Sequence, residues 1–285
     1  MASDRPRVQV IADAPERRAR RGQPAREWRT QLTCIEPNKI LVRGYALDEM
    51  MGRLGFSDSI YLLLTGELPT PSIGRLMSAI FVAGIDHGVT PPSTLAARNV
   101  ATTGAAIAEC VSAGIAGFGP WHGGDVATSM RLLDSALVLV RGGMRVDDAA
   151  RQIVDRSLAE GEVPPGFGHR YHTRDPRAGR LLQMALELEL EGEHVRVLRA
   201  IERVLHGRIP DGEAPTINID GAIAAVCGDL GFDPEMGTAL FLISRVPGLV
   251  AHACEERLQP RMRQIDPTAH AYEGPRERRL PEGRK

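Results

Sequence analysis

The segment Val163–Arg180 reads VPPGFGHRYHTRDPRAGR. Adjacent prolines and two glycines around Phe167 forbid a regular element over its first six residues. Pro176 then opens a helical pattern, because proline fits the first turn of a helix and fails inside one. Between break and helix stand His169, Arg170, His172 and Arg174, and Arg177 follows in the helix's first turn. Loops held on a rigid scaffold are where proteins place binding and catalytic groups, so the flanking elements decide what kind of scaffold this is.

Working outward, apolar residues recur at helical spacing on both sides. The spacing, with Ser, Thr or Asp at many starts and Gly near many ends, predicts helices over 47–54, 57–64, 72–84, 93–102, 105–116, 125–140, 146–160, 176–190, 193–205, 217–230 and 234–257. Only 28–45 reads otherwise: a β-like run at 39–42 and a glycine turn predict an extended segment or small hairpin. At 285 residues the chain is long enough for a large core. With 43% hydrophobic and only 4% aromatic residues the expectation is an all-α fold rather than a sandwich or barrel.

The same totals exclude several functions. A net charge of −1 indicates no polyanionic partner, and the arginine-rich, proline-broken residues 1–26 are expected to form a flexible basic tail rather than a nucleic-acid arm. No run of eighteen apolar residues occurs and the N-terminus lacks an apolar segment, so neither a membrane span nor a secretory signal is expected and the cytoplasm is the expected compartment. Cys34, Cys110, Cys227 and Cys254 are far apart and without metal-ligand spacing; they are expected to be reduced core thiols, with no metal bound.

Two further glycine-rich breaks resemble the first in kind: GFGPWHGGD at 117–125 and APTINIDG at 214–221. His122 is followed by two glycines that let a ligand approach the backbone, and Asp125 is placed to cap the next helix. Gly166 and Gly168 beside His169 offer backbone N–H groups to an anion or a purine. Asp220 begins an apolar helix, where an acid serves as a cap. Each residue alone has an ordinary structural use. Together, two histidines and a carboxylate on such breaks form the set needed to abstract a proton next to a carbonyl, the carboxylate as base and the imidazoles stabilising the oxyanion and polarising the electrophile. No nucleophile elbow, P-loop, GxGxxG or HExxH accompanies them, which argues against a serine hydrolase, a nucleotidase, a Rossmann dehydrogenase and a zincin.

In chain order, GPWHGGD, PGFGHRYHTRDPRA, NIDGAIAAVCGDLG and FLISRVPGLVAHACEE resemble the consecutive signature segments of the citrate synthase family, and ILVRGYALDEMMGRLGFSDSIYLLLTGELPT resembles its opening. The resemblance implies a large helical domain from 27–130 and 232–285, with a smaller helical lid, 131–231, inserted between them. It implies that Asp220 is the base for the methyl group of acetyl-CoA, that neutral His122 stabilises the enolate, and that His169 polarises the carbonyl of oxaloacetate. His87 matches the family's substrate-binding histidine, and Arg177 and Arg245 match arginines that hold substrate carboxylates. Planar, permanently charged forks suit that task. Pro165, Gly166, Phe167 and Gly168 would cradle the adenine of a coenzyme A thioester, while Arg170 and Arg174 read as solvated charges or as partners of its phosphates.

The family's last arginine comes from the neighbouring subunit in an RPR motif. The match here is Arg261 in PRMR, where Met262 replaces proline, so Arg261 and Arg263 both remain candidates; either implies a homodimer. The compact chain and its EPNKILVRGY start look more like the short branch related to citryl-CoA lyases. In that direction the resemblance has His169 take the hydroxyl proton of citryl-CoA and Asp220 protonate the enolate held by His122. A citrate synthase, a methylcitrate- or citramalate-type homologue, and a non-catalytic acyl-CoA or carboxylate sensor are the other readings.

Overall fold

The computed structural model describes residues 29–119, 122–123, 125–210, 212–262 and 271–280. The expected basic tail, 1–26, and Arg263 lie outside the described residues. The described residues open with the one expected non-helical region, a three-stranded antiparallel sheet of β1 (Thr33–Glu36), β2 (Lys39–Val42) and β3 (Tyr45–Ala46) in the order β1-β2-β3. Its register pairs Thr33 with Val42 and Val42 with Tyr45. The tight second turn is possible because Arg43 and Gly44 both take positive φ, 49° and 88°, the signature of a primed hairpin turn.

The described remainder is helical: α1 (Leu47–Met50), α2 (Phe56–Thr65), α3 (Pro71–Gly84), α4 (Pro92–Thr102), α5 (Ile107–Ala116), α6 (Asp125–Arg141), α7 (Val146–Ala159), α8 (Pro176–Glu187), α9 (Glu193–Arg208), α10 (Ile219–Asp229) and α11 (Pro234–Glu256). These match the expected spans closely, and the differences have local causes. The first helix stops at Met50, four residues early, because Gly52 turns the chain at φ 81°. The helix expected to reach 190 stops at Glu187, because Glu189 is left-handed at φ 58°.

Two helices organise the core. α10 is small-residue-rich, and Ile219 and Gly221 to Cys227 are all buried. It packs against α6, α8 and α9, which its alanines allow to approach closely. α11, 23 residues long, packs against α3, α4, α5 and α6. By length and composition α11 is apolar enough to cross a bilayer; here it is the shared wall of the helical core, with Arg245 buried in its middle. One apolar cluster runs from Leu76 and Ile80 of α3 through Leu133 and Leu137 of α6 to Ile201 of α9 and Ile223 of α10. The boundary expected at 130/131 falls inside α6, which contacts α11 on one side and α7, α9 and α10 on the other.

A buried charge cluster ties α9 to this frame. Asp229, at the end of α10, accepts from the N–H groups of Gly192, His194 and Val195, while the His194 ring bridges Asp229 Oδ1 at 3.0 Å and Asp134 Oδ1 at 3.2 Å. Burial disfavours the imidazolium, but the two carboxylates outweigh it and hold the His194 pKa above its ordinary value.

One expectation is corrected. Only Cys110 and Cys227 are core thiols; Cys34 on the outer strand and Cys254 on the open side of α11 are exposed, although all four are free. Helical periodicity placed Cys254 on an apolar helix without revealing which side of it was covered.

Candidate active site

The three glycine-rich breaks converge, and close packing is the reason. A Cβ on Gly221 would run into the Gly166 carbonyl, and one on Gly166 would lie 2.8 Å from Gly221 Cα, so the 163–168 break can rest against the first turn of α10 only with glycine on both sides. Gly166 and Gly168 have φ of 91° and 78°. The paired segment is stitched by Gly168 N–H to Thr216 O at 2.8 Å, Asn218 N–H to Gly166 O at 3.0 Å and Asn218 Nδ2 to Gly168 O at 3.0 Å. The Gly168 N–H is consumed by the pairing, and the Phe167 side chain is buried in the apolar cluster; Pro165 is half-buried beside it.

Asp220 is not the cap of α10. Asn218 caps it, accepting from Gly221 N–H at 3.0 Å, which leaves the Asp220 carboxyl in the first turn with no structural task. Its Oδ1 is buried without a hydrogen-bond partner. Burial, with the Asp125 carboxylate adding to it, pushes the Asp220 pKa up to about 6, against the pull of Arg177 and Arg245. Asp125, at the start of α6, is itself pushed up by burial.

The histidines face the opposite electrostatics. His122 is held by paired backbone bonds with Gly119, by Phe118 stacked on its ring at 4.8 Å, and by Ser93 Oγ at 2.8 Å from Nε2. Burial and the charges of Arg245, Arg170 and His87 hold its pKa below the ordinary value. His87 and His169 meet edge to face with ring centroids 5.3 Å apart. Both are shifted down, chiefly by burial, His87 also by Arg177 and His169, and His169 also by His172. All three are therefore neutral imidazoles at neutral pH.

His169 Nδ1 accepts from the backbone N–H groups of Tyr171 and His172, each at 3.0 Å. Nδ1 is thereby occupied, so Nε2 is the ring nitrogen left to exchange a proton with a substrate oxygen.

Two guanidinium groups complete the cleft. Arg177 is locked in a bidentate pair with buried Asp175, donating from Nε to Oδ1 at 3.0 Å and from Nη2 to Oδ2 at 2.8 Å, and Asp175 also caps α8 and accepts from Ile219 N–H at 3.1 Å. One acid thus orients the arginine and ties α8 to α10. Arg245, 2% exposed, donates from Nε to Gly84 O at 2.7 Å and lies 5.3 Å over Phe241, while its Nη1 is buried without a partner. A buried guanidinium with an idle fork is costly unless an anion uses it.

The structure therefore brings His87, His122, His169, Asp220, Arg177 and Arg245 into mutual electrostatic reach. Arg261 is not among them. It is exposed beyond α11, where the next residue, Met262, donates its N–H to Thr102 O at 3.0 Å. Sequence reasoning missed Ser93, Asp175 and Asp86, which positions the His87 loop. Asp86 accepts from Gly88 N–H and from His252 Nε2, each at 3.0 Å; His252 Nδ1 in turn accepts from buried Arg98 at 3.0 Å. The adjacent acids Glu255 and Glu256, both pairing Arg98 at 2.5 Å, were the available hint.

Comparison with known proteins agrees with this geometry. The family description "Citrate synthase, C-terminal domain" matches residues 69–267. "Putative citrate synthase 2" of Mycobacterium tuberculosis is 34% identical over 213 residues, 73% of this chain and 53% of that one; the chain spans about half the length of the curated relatives it matches. Among solved structures, a citryl-CoA lyase from Hydrogenobacter thermophilus is similar at 39% identity and TM-score 0.80, covering 90% of this chain and 98% of that one. Citrate synthase from Thermotoga maritima is similar at 28% identity and TM-score 0.66, covering 82% and 62%. Motifs, helical frame and matched length agree, and the chain belongs to the citrate synthase family.

Proposed function

We propose that this protein breaks the carbon–carbon bond of citryl-CoA to give acetyl-CoA and oxaloacetate. The observation that carries the reading is the Asp220 carboxyl, buried with an idle oxygen and a raised pKa among neutral imidazoles and a guanidinium whose own fork is idle. That is the polarity needed to hold a polyanion, accumulate charge on a thioester oxygen and deliver one proton to carbon. The near-complete overlap with a citryl-CoA lyase chain supports cleavage over synthesis.

In this reading Arg177, Arg245 and His87 hold the carboxylates of the citryl group, and His169 takes the hydroxyl proton at Nε2 as that oxygen becomes the oxaloacetate carbonyl. As the bond breaks, its electron pair passes into the thioester. When Ser93 donates to His122 Nε2, the imidazole carries its proton on Nδ1 and can donate it to the enolate oxygen. Asp220, protonated, then gives its proton to the methylene carbon. The coenzyme A body lies along the 163–170 segment, with Arg170 toward its phosphates. Closure of the lid over the cleft excludes water and protects the enolate. A homodimer supplies Arg261 to the partner's cleft, and the exposed apolar side chains Val82, Ile85, Leu95 and Ile115 on and beside α3, α4 and α5 support such an interface.

The test incubates purified protein with citryl-CoA, and separately with acetyl-CoA and oxaloacetate, following oxaloacetate, citrate and free thiol by mass spectrometry. Cleavage without citrate or free coenzyme A is the expected result. Citrate with equal thiol release would establish a synthase instead, and binding without turnover would leave a sensor.

A further inference from the structure

We propose that His252 is a positioning residue for the substrate: it fixes the His87 turn against α11, so that His87 and Arg245 are set in register for one carboxylated ligand. The proposal rests on the reading above, in which these two residues hold substrate carboxylates. His87 stands between α3 and α4, where residues 85–90 lie outside any helix or strand, so no element of its own directs it. Asp86 accepts from Gly88 N–H at 3.0 Å, which shapes the turn and leaves it to be anchored from outside.

The anchor is one stripe of α11. Arg245, Gly248 and His252 follow at i, i+3 and i+7, so they share a face whose ends lie about 10 Å apart. Arg245 donates from Nε to Gly84 O at 2.7 Å. A Cβ on Gly248 would run into the Ile85 carbonyl oxygen and lie 3.1 Å from Asp86 Oδ1, so the turn rests on the helix backbone at that point. His252 Nε2 is 3.0 Å from Asp86 Oδ1. Residues 84, 85 and 86 are thus held in order along the stripe, and His87 comes next in the chain. Arg245, whose Nη1 is left without a partner, fixes the near end of the turn, and His252 fixes the far end. The direction of His252 is itself set from behind. Arg98 Nη1 is 3.0 Å from His252 Nδ1; a guanidinium only donates, so Nδ1 accepts and Nε2 carries the hydrogen that Asp86 receives. Arg98 is in turn paired with the buried Glu256 carboxylate. Both ring nitrogens of His252 are therefore used within the chain, and it acts on the substrate only through the turn.

The experiment titrates oxaloacetate into the full chain and its variants by calorimetry. His252→Leu removes both bonds and should weaken binding by about 10-fold or more, the worth of a hydrogen bond to a charged group. His252→Gln, whose amide donates to Asp86 and accepts from Arg98, should stay within about threefold of the parent. In a His87→Ala background, His252→Leu should weaken binding by less than about twofold, because its effect passes through His87. Asp86→Ala breaks the same link from its exposed end and should match His252→Leu, so the proposal stays open to test if the buried variant fails to fold. Binding within about threefold of the parent in His252→Leu or Asp86→Ala overturns the proposal, and so does an equal loss with and without His87, the mark of general damage to packing. A parent that neither binds oxaloacetate nor cleaves citryl-CoA removes the reaction reading and this proposal together; a parent that does both while the variants match it removes this proposal alone.

Discussion

Arg98 and Arg245 are both buried in the helical core, 8% and 2% exposed, and they are opposite solutions to the same problem. Arg98 meets Glu255, Glu256 and His252, so its charge is balanced within the chain and its fork is full. Arg245 has one backbone carbonyl and an aromatic face, and burial holds its pKa below the ordinary value for a guanidinium. A charge that the protein satisfies by itself holds the fold; a charge left unsatisfied in a cleft is reserved for something outside the chain. The acids divide in the same way, Asp175 and Asp229 saturated with N–H donors and Asp220 idle.

The largest expected effect is on the idle side. Asp220→Asn should cut citryl-CoA turnover by about 10³-fold or more, as the loss of a positioned acid does, while thermal denaturation shows no loss of stability. A raised carboxylate pKa works against the folded state above the unfolded pKa, so this variant should gain stability at pH 8 relative to pH 4. Equal stability changes at the two pH values would place Asp220 on the structural side. In the parent, kcat/KM for cleavage needs Asp220 protonated, so it should fall as pH rises through about 6, while synthesis run backwards should gain over the same range.

On the saturated side, Arg98→Met deprives the buried Glu256 carboxylate of its guanidinium. Denaturant unfolding should show a loss of about 3–5 kcal/mol, the usual result of breaking a buried pair from one side. The matched change Arg245→Met should do the reverse, altering unfolding by no more than about 1 kcal/mol while weakening oxaloacetate binding in calorimetry by about 10–100-fold, the worth of charge-assisted bonds. Should both variants lose stability alike, the contrast between the arginines fails.

The smallest expected effect concerns His194. Its folded pKa is raised, so its stabilisation is fully present below the unfolded value of about 6.5 and is lost as pH rises through the folded value. Unfolding free energy should decline as pH rises from the unfolded value through the folded one, and His194→Asn should flatten the decline. Activity at a fixed pH should be unaffected, because His194 lies among α6, α9 and α10, away from the cleft.

Helix positions were legible because the apolar period and the end signals act within a few residues, and Pro176, Asp175 and Asp233 work where they stand. The cleft residues were legible through ordered motifs. The misreadings came from partners distant in the chain. Cys254 was assigned to a core that does not cover it, and the Gly168 N–H is taken by Thr216.

By itself the sequence determined the helical class, the order of the breaks and the chemical groups they carry, since periodicity, propensity and side-chain identity are local properties. Only the tertiary structure decided which charges are spent and which are idle. Arg98 finds Glu255 157 residues away, His169 is oriented by two backbone N–H groups whose direction depends on the folded loop, and the Asp220 pKa rises because the fold buries the carboxyl and brings Asp125 of α6 near it, against the pull of Arg177 and Arg245. Solvation and Coulomb interaction depend on distance in space, and that distance exists only after the chain has folded.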